Sequence, residues 1–154
     1  MKEKLQFLPI SINVTDQKIL IIGGGKVAYH KATILNRFVD RATVVSPDFH
    51  EGFEALPFTL IRKKYEPEDL SGAFLVYICT ENEPLNAEIK QACRERGILA
   101  SVCDNPVLCD FISPAIHKKG QMTIAVSSNA QDVYRSIEVR NQIKELIDQG
   151  LLNI

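Results

Sequence analysis

The sequence predicts an α/β fold in which a parallel sheet is followed by a small α+β segment. Two stretches, ILII at 19–22 and FLVYIC at 74–79, are apolar at every position, which is typical of parallel strands covered on both faces. Strand-like and helix-like segments alternate up to Asp104, as they do when helices cross over between parallel strands. Beyond Asp104 the alternation ends, and Asn105-Pro106 and Ser113-Pro114 mark turns.

Each strand of the first part has its own local signal. Short runs rich in apolar and β-branched residues predict strands at 5–12, 19–22, 42–45, 58–62, 74–79 and 98–102. Pro9 favours an edge position for the first strand, because proline cannot donate a hydrogen bond to a ladder. Residues 47–56 are predicted to be irregular, and residues 66–72 to form a short helical turn that stops at Gly72.

Two helices are predicted between these strands, at 27–38 and 85–96. Apolar residues at helical spacing give each helix one face that we expect to point inward. Gly97 is placed to end the second helix, since glycine readily adopts the left-handed conformation that follows many helices. The residues predicted to face inward are Val27, Ile34, Leu35 and Phe38 in the first helix, and Leu85, Ile89, Ala92 and Cys93 in the second.

The sequence after Ser113-Pro114 predicts a hairpin and a helix. Segments 115–119 and 122–127 flank Gly120 as two strands, and a helix is expected over 132–149. A two-stranded hairpin needs further sheet or a partner to be stable, and the final residues are apolar, so a homodimer is expected. The predicted domains are residues 1–112 and a dimerisation segment at 113–154.

Charge and composition narrow the classes of function. The chain has 154 residues and a formal net charge of −1, so neither nucleic acid nor an anionic membrane is expected as its main partner. No apolar run approaches the length of a membrane span, and the first residues do not resemble a signal peptide. A cytoplasmic protein is therefore expected.

The four cysteines are expected to be free and mostly buried. Their spacing contains no CxxC pair, and no histidine lies at zinc-finger distance from them. Buried free thiols are the common state of cysteine in a reducing compartment. No metal site is therefore predicted from Cys79, Cys93, Cys103 and Cys109, and His117 is expected on the surface of the hairpin.

A glycine-rich loop joins the first predicted strand to the first predicted helix. Gly23, Gly25 and Ala28 fit the pattern G-x-G-x-x-G/A. In that pattern the first glycine allows a tight turn, the second lets backbone approach a pyrophosphate, and the small third residue permits close packing. The N-terminus of the following helix directs N–H groups at phosphates. This context favours a Rossmann-like, dinucleotide-binding sheet, and the alternative is a glycine-rich turn without a ligand.

The acidic residue that usually completes this fingerprint is missing. An acid about 20 residues further on normally binds the ribose hydroxyls, but the second predicted strand runs into Ser46 and Pro47. Asp48 and the Ser46 hydroxyl are the nearest substitutes. No arginine follows that strand to hold a 2′-phosphate, so NAD is favoured over NADP. At the carboxyl edge of the sheet, where ligands bind in such folds, we expect Gly23–Gly25, Ser46, Thr80–Asn82 and Asp104 to converge.

Several stretches together resemble one protein family. GGGKVAYHKA, VVSP, DLSGAFLVYICTENEPLN, SVCDNPVLCDFISPA and KKGQMTIAVSS occur in the order and spacing of the NAD-binding part of siroheme synthases. From about Leu8 to Ser128 the chain resembles a precorrin-2 dehydrogenase. The resemblance implies oxidation of precorrin-2 to sirohydrochlorin with NAD, and in some members iron insertion. It also implies a Rossmann domain, a dimerisation domain with exchanged strands, and C-terminal helices.

The resemblance also assigns roles to individual positions. Ser46 and Pro47 would approach the adenosine, and Thr80 and Asn82 belong to the loop after the fourth strand. Asp104 corresponds to the family's essential acid, and a carboxylate is a reasonable base because precorrin-2 loses a proton as well as a hydride. Read without the family, Asp104 is a turn-capping residue. The pyrophosphate would lie against Gly23, Gly24, Gly25, Lys26 and Val27.

A tetrapyrrole substrate carries several carboxylates and therefore needs cations. The resemblance alone assigns Ser128 to the substrate. Residues 129–133 depart from the family's pattern, Ser101 stands where the family has asparagine, and the C-terminal helical region is expected to be truncated. The candidate cations, each equally well explained as part of a solvated charged face, are Lys118, Lys119, Arg135 and Arg140.

Three functions are therefore compatible with the sequence. The first is an NAD-dependent precorrin-2 dehydrogenase. The second is a sirohydrochlorin ferrochelatase, a metal-inserting lyase that acts alone or in addition. The third is a non-catalytic NAD-binding module, for which the altered stretch 129–133 is the motivation.

Overall fold

The structure, a computed structural model, describes residues 4–154 and divides them into two units. The larger unit contains residues 10–111, and the smaller contains residues 4–9 together with Ile112–Ile154. None of the helices in the described part of the chain is long and apolar enough to cross a membrane.

Five parallel strands form the centre of the larger unit. Their spatial order is β3-β2-β1-β4-β5. Ile21 of the central strand pairs with Val44 on one side and Tyr77 on the other. The predicted parallel α/β sheet is therefore confirmed. The strands are β1 (Lys18–Ile22), β2 (Thr43–Ser46), β3 (Thr59–Arg62), β4 (Ala73–Ile78) and β5 (Leu99–Val102).

Two α-helices connect these strands, α1 (Lys26–Leu35) and α2 (Glu83–Glu95). Successive residues of β1 point to opposite faces of the sheet, so the strand contributes to two apolar layers. Leu20 packs in the layer that contains Ile89 of α2. Ile21 packs in the layer that contains Ala28 and Ala32 of α1. The sheet is thus covered on both faces, which explains why its central strands β1 and β4 are apolar along nearly their whole length.

Helix α1 packs through its smallest residues, and the predicted inward face is wrong in part. Ala28 and Ala32 are completely buried, whereas Val27 and Phe38 are 43% and 41% exposed. Leu35 is partly buried at the edge of the same cluster. Methyl groups let the helix approach the sheet closely, and this close approach suits a helix that begins directly after a glycine loop.

The other ordered segments follow local signals. Asn82 begins α2 by accepting a hydrogen bond from the Leu85 N–H at 3.1 Å, and Gly97 follows its end with φ +67°. The predicted turn at 66–72 is a 3₁₀ helix over Pro67–Leu70. Residues 47–56 are not wholly irregular, because His50 caps a 3₁₀ helix at Glu51–Ala55. Another short 3₁₀ helix covers Pro106–Leu108.

The strand predicted at 5–12 is wrong, because these residues form no strand. Leu8, Ile10 and Ile12 are exposed by 81%, 72% and 41%. The Phe7 N–H donates to the side-chain oxygen of Asn129 at 3.1 Å rather than to a neighbouring strand. Pro9 offers no N–H to a ladder, so an apolar run was not enough to add an edge to the sheet.

The smaller unit contains the predicted hairpin and helix. Strands β6 (Ala115–Lys119) and β7 (Met122–Val126) pair antiparallel. Helix α3 (Val133–Asp148) begins where Asp132 accepts a hydrogen bond from the Arg135 N–H at 2.8 Å. The guanidinium of Arg140 donates to the Ile116 carbonyl at 3.2 Å, which ties α3 to β6.

Candidate cofactor site at the carboxyl edge of the sheet

A cleft of about 1100 Å³ opens where the strands of the larger unit end. Parallel strands present their carboxyl ends at a single edge, and ligands of such sheets bind there. All the positions that the sequence predicted to bind the cofactor line this cleft, together with the predicted catalytic acid, Asp104. These positions are Gly23, Gly24, Gly25, Lys26, Val27, Ser46, Pro47, Thr80, Asn82 and Asp104.

The first two glycines of the loop are required by close backbone contacts. Gly23 has φ +121° and donates its N–H to the Val45 carbonyl at 2.9 Å. A Cβ atom at Gly23 would overlap the carbonyl group of Cys79, and one at Gly24 would overlap the carbonyl oxygen of Asp48 and lie 2.8 Å from the Ser46 hydroxyl. A side chain at either position would therefore force the neighbouring strand ends apart.

Gly25 differs, because a Cβ atom there would meet no atom within 4 Å. It precedes α1, and no side chain caps the helix at this point. The first N–H groups of a helix have no partner within the helix and attract anions. The open space at Gly25 and these amides fit the pyrophosphate of a dinucleotide, which lets this loop hold the group that the fingerprint predicts.

The end of β2 carries a basic neighbour that the sequence analysis missed. Arg62 pairs with Ser46 in the register of β3 against β2. Its guanidinium lies 3.5 Å from the Asp48 carboxylate, donates to the Pro47 carbonyl at 3.3 Å, and sits 5.2 Å from the ring centre of Phe49. An arginine of β3 therefore contacts Pro47, Asp48 and Phe49, which line the cleft after β2, although no arginine follows β2 in the sequence.

The loop after β4 is held by reciprocal hydrogen bonds. The Asn82 N–H donates to the Thr80 hydroxyl at 3.2 Å, and the Asn86 side chain donates to the Thr80 carbonyl at 3.0 Å. The Thr80 hydroxyl also contacts the Asn86 side-chain oxygen. Asn86, which is buried and was missed by the sequence analysis, thus positions the loop from the first turns of α2.

Asp104 occupies a tight turn at the end of β5. The Asn105 N–H donates to the Val102 carbonyl at 3.1 Å, which leaves Cys103 and Asp104 as the two central residues of the turn. Asp104 has φ +66°, a conformation that aspartate tolerates better than most residues. Its side chain lies at the exposed mouth of the cleft.

Lys31 of α1 is a cation near Asp104 that the sequence analysis did not identify. Burial lowers the pKa of the Lys31 ammonium from its ordinary value, and the attraction of the Asp104 carboxylate acts in the opposite direction. No local pattern marks Lys31, because α1 and the end of β5 are more than 60 residues apart in the chain. The attraction of the Asp104 carboxylate thus partly offsets the effect of burial on the pKa of Lys31.

The residues after Asp104 fold back and brace the turn. The Cys109 thiol accepts the Val102 N–H at 3.3 Å and lies 3.3 Å from the Asn105 carbonyl. Asp110 accepts hydrogen bonds from the Ala100 N–H at 2.9 Å and from the buried Lys90 ammonium at 2.9 and 3.0 Å. The segment CDNPVLCD is therefore a closed loop, and its second half holds Asp104 in place.

The prediction of four free thiols is wrong for one pair. Cys79 and Cys103 form a disulfide, with Cα atoms 5.2 Å apart, whereas Cys93 and Cys109 are free. Cys79 follows β4 and Cys103 follows β5, and these strands are neighbours in the sheet. The sequence separation of 24 residues carries no such signal, so only the order of the strands brings the sulfur atoms together.

The residues proposed for the substrate lie in the smaller unit, and most of them contact other protein groups. Ser128 accepts the Asp132 N–H at 3.0 Å and donates to its carbonyl at 2.9 Å. Arg135 forms an ion pair with Glu138 at 3.0 Å. Arg140 donates to the Ile116 carbonyl, as described above, and to the Asn141 side chain at 2.7 Å. Lys118 is partly buried and Lys119 is exposed.

His117 does not match the expectation of a plain surface residue. It lies on β6, is only partly exposed, and its Nε2 atom is buried without a hydrogen-bond partner among residues 4–154. Strand β6, which carries His117, packs against α3. His117 therefore faces α3 rather than solvent alone.

Comparisons with known proteins bear on the fold and on the cofactor. Siroheme synthase from Psychrobacter sp. (strain PRwf-1) is 34% identical over 146 residues, which cover 92% of this chain and 30% of that protein. Siroheme synthase from Pseudomonas aeruginosa (strain LESB58) is 37% identical over 128 residues, covering 80% and 28%. The chain therefore spans less than a third of the length of these curated relatives.

A solved structure shares the fold. The structure of SirC, precorrin-2 dehydrogenase, superposes with a TM-score of 0.77 at 19% identity, over 90% of this chain and 70% of that one. Residues 10–115 match the profile of a family described as "Putative NAD(P)-binding". This match confirms the predicted dinucleotide cofactor, and because it covers most of the sequence, the chain belongs to that NAD(P)-binding family.

Proposed function

We propose that this chain is an NAD-dependent precorrin-2 dehydrogenase, which oxidises precorrin-2 to sirohydrochlorin. The observation that carries the proposal is the presence of the glycine loop and Asp104 in one cleft. The relatives named siroheme synthase and the fold shared with a precorrin-2 dehydrogenase support a tetrapyrrole substrate.

In this proposal the phosphates and the adenosine of NAD bind at different parts of the cleft. The phosphates fit the open side of Gly25 and the first amides of α1, and the adenosine lies toward Ser46 at the end of β2. NAD is favoured over NADP because the Asp48 carboxylate would repel a 2′-phosphate, and because Arg62 already contacts Pro47, Asp48 and Phe49. When bound, NAD supplies a hydride acceptor.

Asp104 supplies the proton acceptor in this proposal. Oxidation removes one hydride and one proton from the substrate, and the hydride leaves with the cofactor. The Asp104 carboxylate, exposed at the cleft mouth, takes the proton. In this proposal the charge of Lys31, which senses Asp104 electrostatically, favours the carboxylate form of the acid.

The smaller unit has two roles in the proposal. Lys118, Lys119, Arg140 and Ser128 remain the candidates to bind the carboxylates of the tetrapyrrole.

We also infer a homodimer formed through this unit, because its two-stranded sheet is isolated and Met122, Val133 and Tyr134 are 54%, 59% and 87% exposed. Sedimentation should show a dimer that Tyr134→Glu weakens and that Val107→Glu, an exposed control in the larger unit, leaves intact.

A direct assay tests the proposed reaction. Purified protein is mixed with precorrin-2 and NAD, and NADH and sirohydrochlorin are followed by their spectra. Equimolar formation of both products is expected. Binding of NAD without any NADH formation from competent substrate would instead favour the non-catalytic NAD-binding module.

Metal insertion into sirohydrochlorin is a second candidate, favoured by the same exposed carboxylate. Insertion requires a base for the two pyrrole protons that the metal replaces, and Asp104 is accessible enough to accept them. The assay supplies ferrous iron and sirohydrochlorin without NAD and compares the rate with that of the uncatalysed reaction. Equal rates would exclude this activity.

A further inference from the structure

The cysteine pair of the cleft has no part in the proposed reaction, yet it lies between the two groups that do. Cys79 and Cys103 follow Ile78 and Val102, which are the last paired residues of β4 and β5. The Cys103 N–H donates to the Ile78 carbonyl at 2.9 Å. The Cα separation of 5.2 Å lies within the range that a disulfide spans without moving the backbone.

Each cysteine contacts a different functional segment. The carbonyl group of Cys79 lies where a Cβ of Gly23 would be, so this residue supports the glycine loop. Cys103 is the first central residue of the turn whose second central residue is Asp104. Both cysteines line the cleft. A bond between them therefore couples the strand beside the cofactor's phosphates to the turn that presents the acid.

We infer that Cys79 and Cys103 form a reversible disulfide that positions Asp104 for the reaction, and that a bound dinucleotide shields this disulfide. Oxidation proceeds by thiol–disulfide exchange with a small-molecule disulfide such as glutathione disulfide. One cysteine thiolate attacks it and releases one glutathione thiol, and the second cysteine then displaces the other. The balance is two cysteine thiols and one glutathione disulfide giving one protein disulfide and two glutathione thiols.

The two segments should respond differently to reduction. The glycine loop has hydrogen bonds from Gly23 to Val45 and from Cys79 to Ile22, at 2.9 and 2.8 Å, which do not involve the sulfur atoms and should therefore persist on reduction. The Asp104 turn would lose its covalent link to β4 and keep only its local hydrogen bonds. Reduction should therefore lower kcat while changing the Kd of NAD less than about twofold, because only the acid is displaced.

The pairing is tested first, without any activity assay. Protein exposed to glutathione disulfide is acid-quenched, denatured, alkylated with N-ethylmaleimide and mapped by mass spectrometry. Label is expected on Cys93 and Cys109 only, and on all four cysteines after dithiothreitol. Label on Cys79 and Cys103 after oxidation would overturn the inference. Cys93→Ala, remote from the cleft, should form the pair normally.

Two further measurements test whether NAD shields the disulfide and whether the disulfide positions the Asp104 turn. NAD at ten times its Kd should slow reduction by dithiothreitol about tenfold if the bound form is closed to the reductant. Hydrogen exchange of the Asn105 amide should be slower in the oxidised protein, and Cys79→Ser/Cys103→Ser should match the reduced protein. Identical Asn105 exchange in both states, or unslowed reduction, would reject the inference.

The inferred effect of the disulfide on kcat rests on the proposed dehydrogenase activity. Different results would contradict the disulfide's role and the proposed activity. If neither redox state oxidises precorrin-2, the proposed function fails, while labelling and hydrogen exchange still decide the role of the disulfide. If both states turn over precorrin-2 with the same kcat, the dehydrogenase stands and the positioning role is rejected.

Discussion

Asp110 binds the ammonium of Lys90 with both carboxylate oxygens, at 2.9 and 3.0 Å, at the end of the loop that carries Asp104. The Lys90 side chain is 11% exposed and that of Asp110 is 34% exposed. The same carboxylate accepts the Ala100 N–H of β5. This ion pair therefore joins α2, β5 and the loop. It stabilises the loop that carries Asp104 and does not itself line the cleft.

Removal of this carboxylate should destabilise the protein. Asp110→Ala leaves the Lys90 ammonium buried without its partner, and we expect a loss of about 2–3 kcal/mol in the free energy of unfolding. Urea denaturation measures it. Glu138→Ala breaks the exposed ion pair with Arg135 and serves as the control, with a change within about 0.5 kcal/mol. Equal effects of the two variants would contradict the supporting role.

Substitutions of two glycines in the loop should distinguish an effect on stability from an effect on NAD binding. Gly25→Ala places its methyl in open space, so we expect normal thermal stability but about tenfold weaker NAD binding, a loss of about 1.4 kcal/mol. Gly24→Ala would push against Ser46 and should lower Tm. Calorimetric titration with NAD and thermal unfolding distinguish the two, and unchanged NAD affinity in Gly25→Ala would argue against phosphate binding there.

Asp104→Asn tests the proposed base with little disturbance of the backbone. Asparagine also tolerates φ +66°, so the turn should persist and the Kd for NAD should stay the same. Loss of the proton acceptor should lower kcat by about 10²–10⁴. Steady-state kinetics with precorrin-2 measures kcat, and Glu81→Gln, another exposed residue of the cleft, is the control. Full turnover by Asp104→Asn would remove Asp104 from this role.

The pKa of Lys31 should report on Asp104 directly. Burial lowers it, and the attraction of Asp104 opposes that effect, so Asp104→Asn should lower the pKa of Lys31 further. Carbon NMR of labelled lysine measures this change. Because the folded protein releases this proton before the unfolded chain does, the contribution of Lys31 to stability should increase as pH rises from the lowered pKa toward 10.5. No change in the Lys31 pKa would show that the two charges do not interact.

Short-range signals accounted for most of the elements and for the cofactor loop. The turn at Gly23, the open position at Gly25 and the start of α1 are contiguous, so one stretch of sequence contains all the geometry that they need. The hairpin around Gly120 is likewise formed by residues that are adjacent in the sequence. The strand expected at 5–12 failed because apolar residues show that a strand is possible but not that a neighbour is there to pair with it. The cytoplasmic location stays a prediction.

The sequence alone thus predicted the parallel sheet, the glycine loop and the edge at which the polar residues gather. The tertiary structure was needed for the pairs that cross between elements, namely Lys90 with Asp110, Arg62 with Asp48, and Cys79 with Cys103. The physical reason is that these contacts depend on the order in which strands lie side by side. That order is set by the packing of the whole core, and no window of adjacent residues contains it.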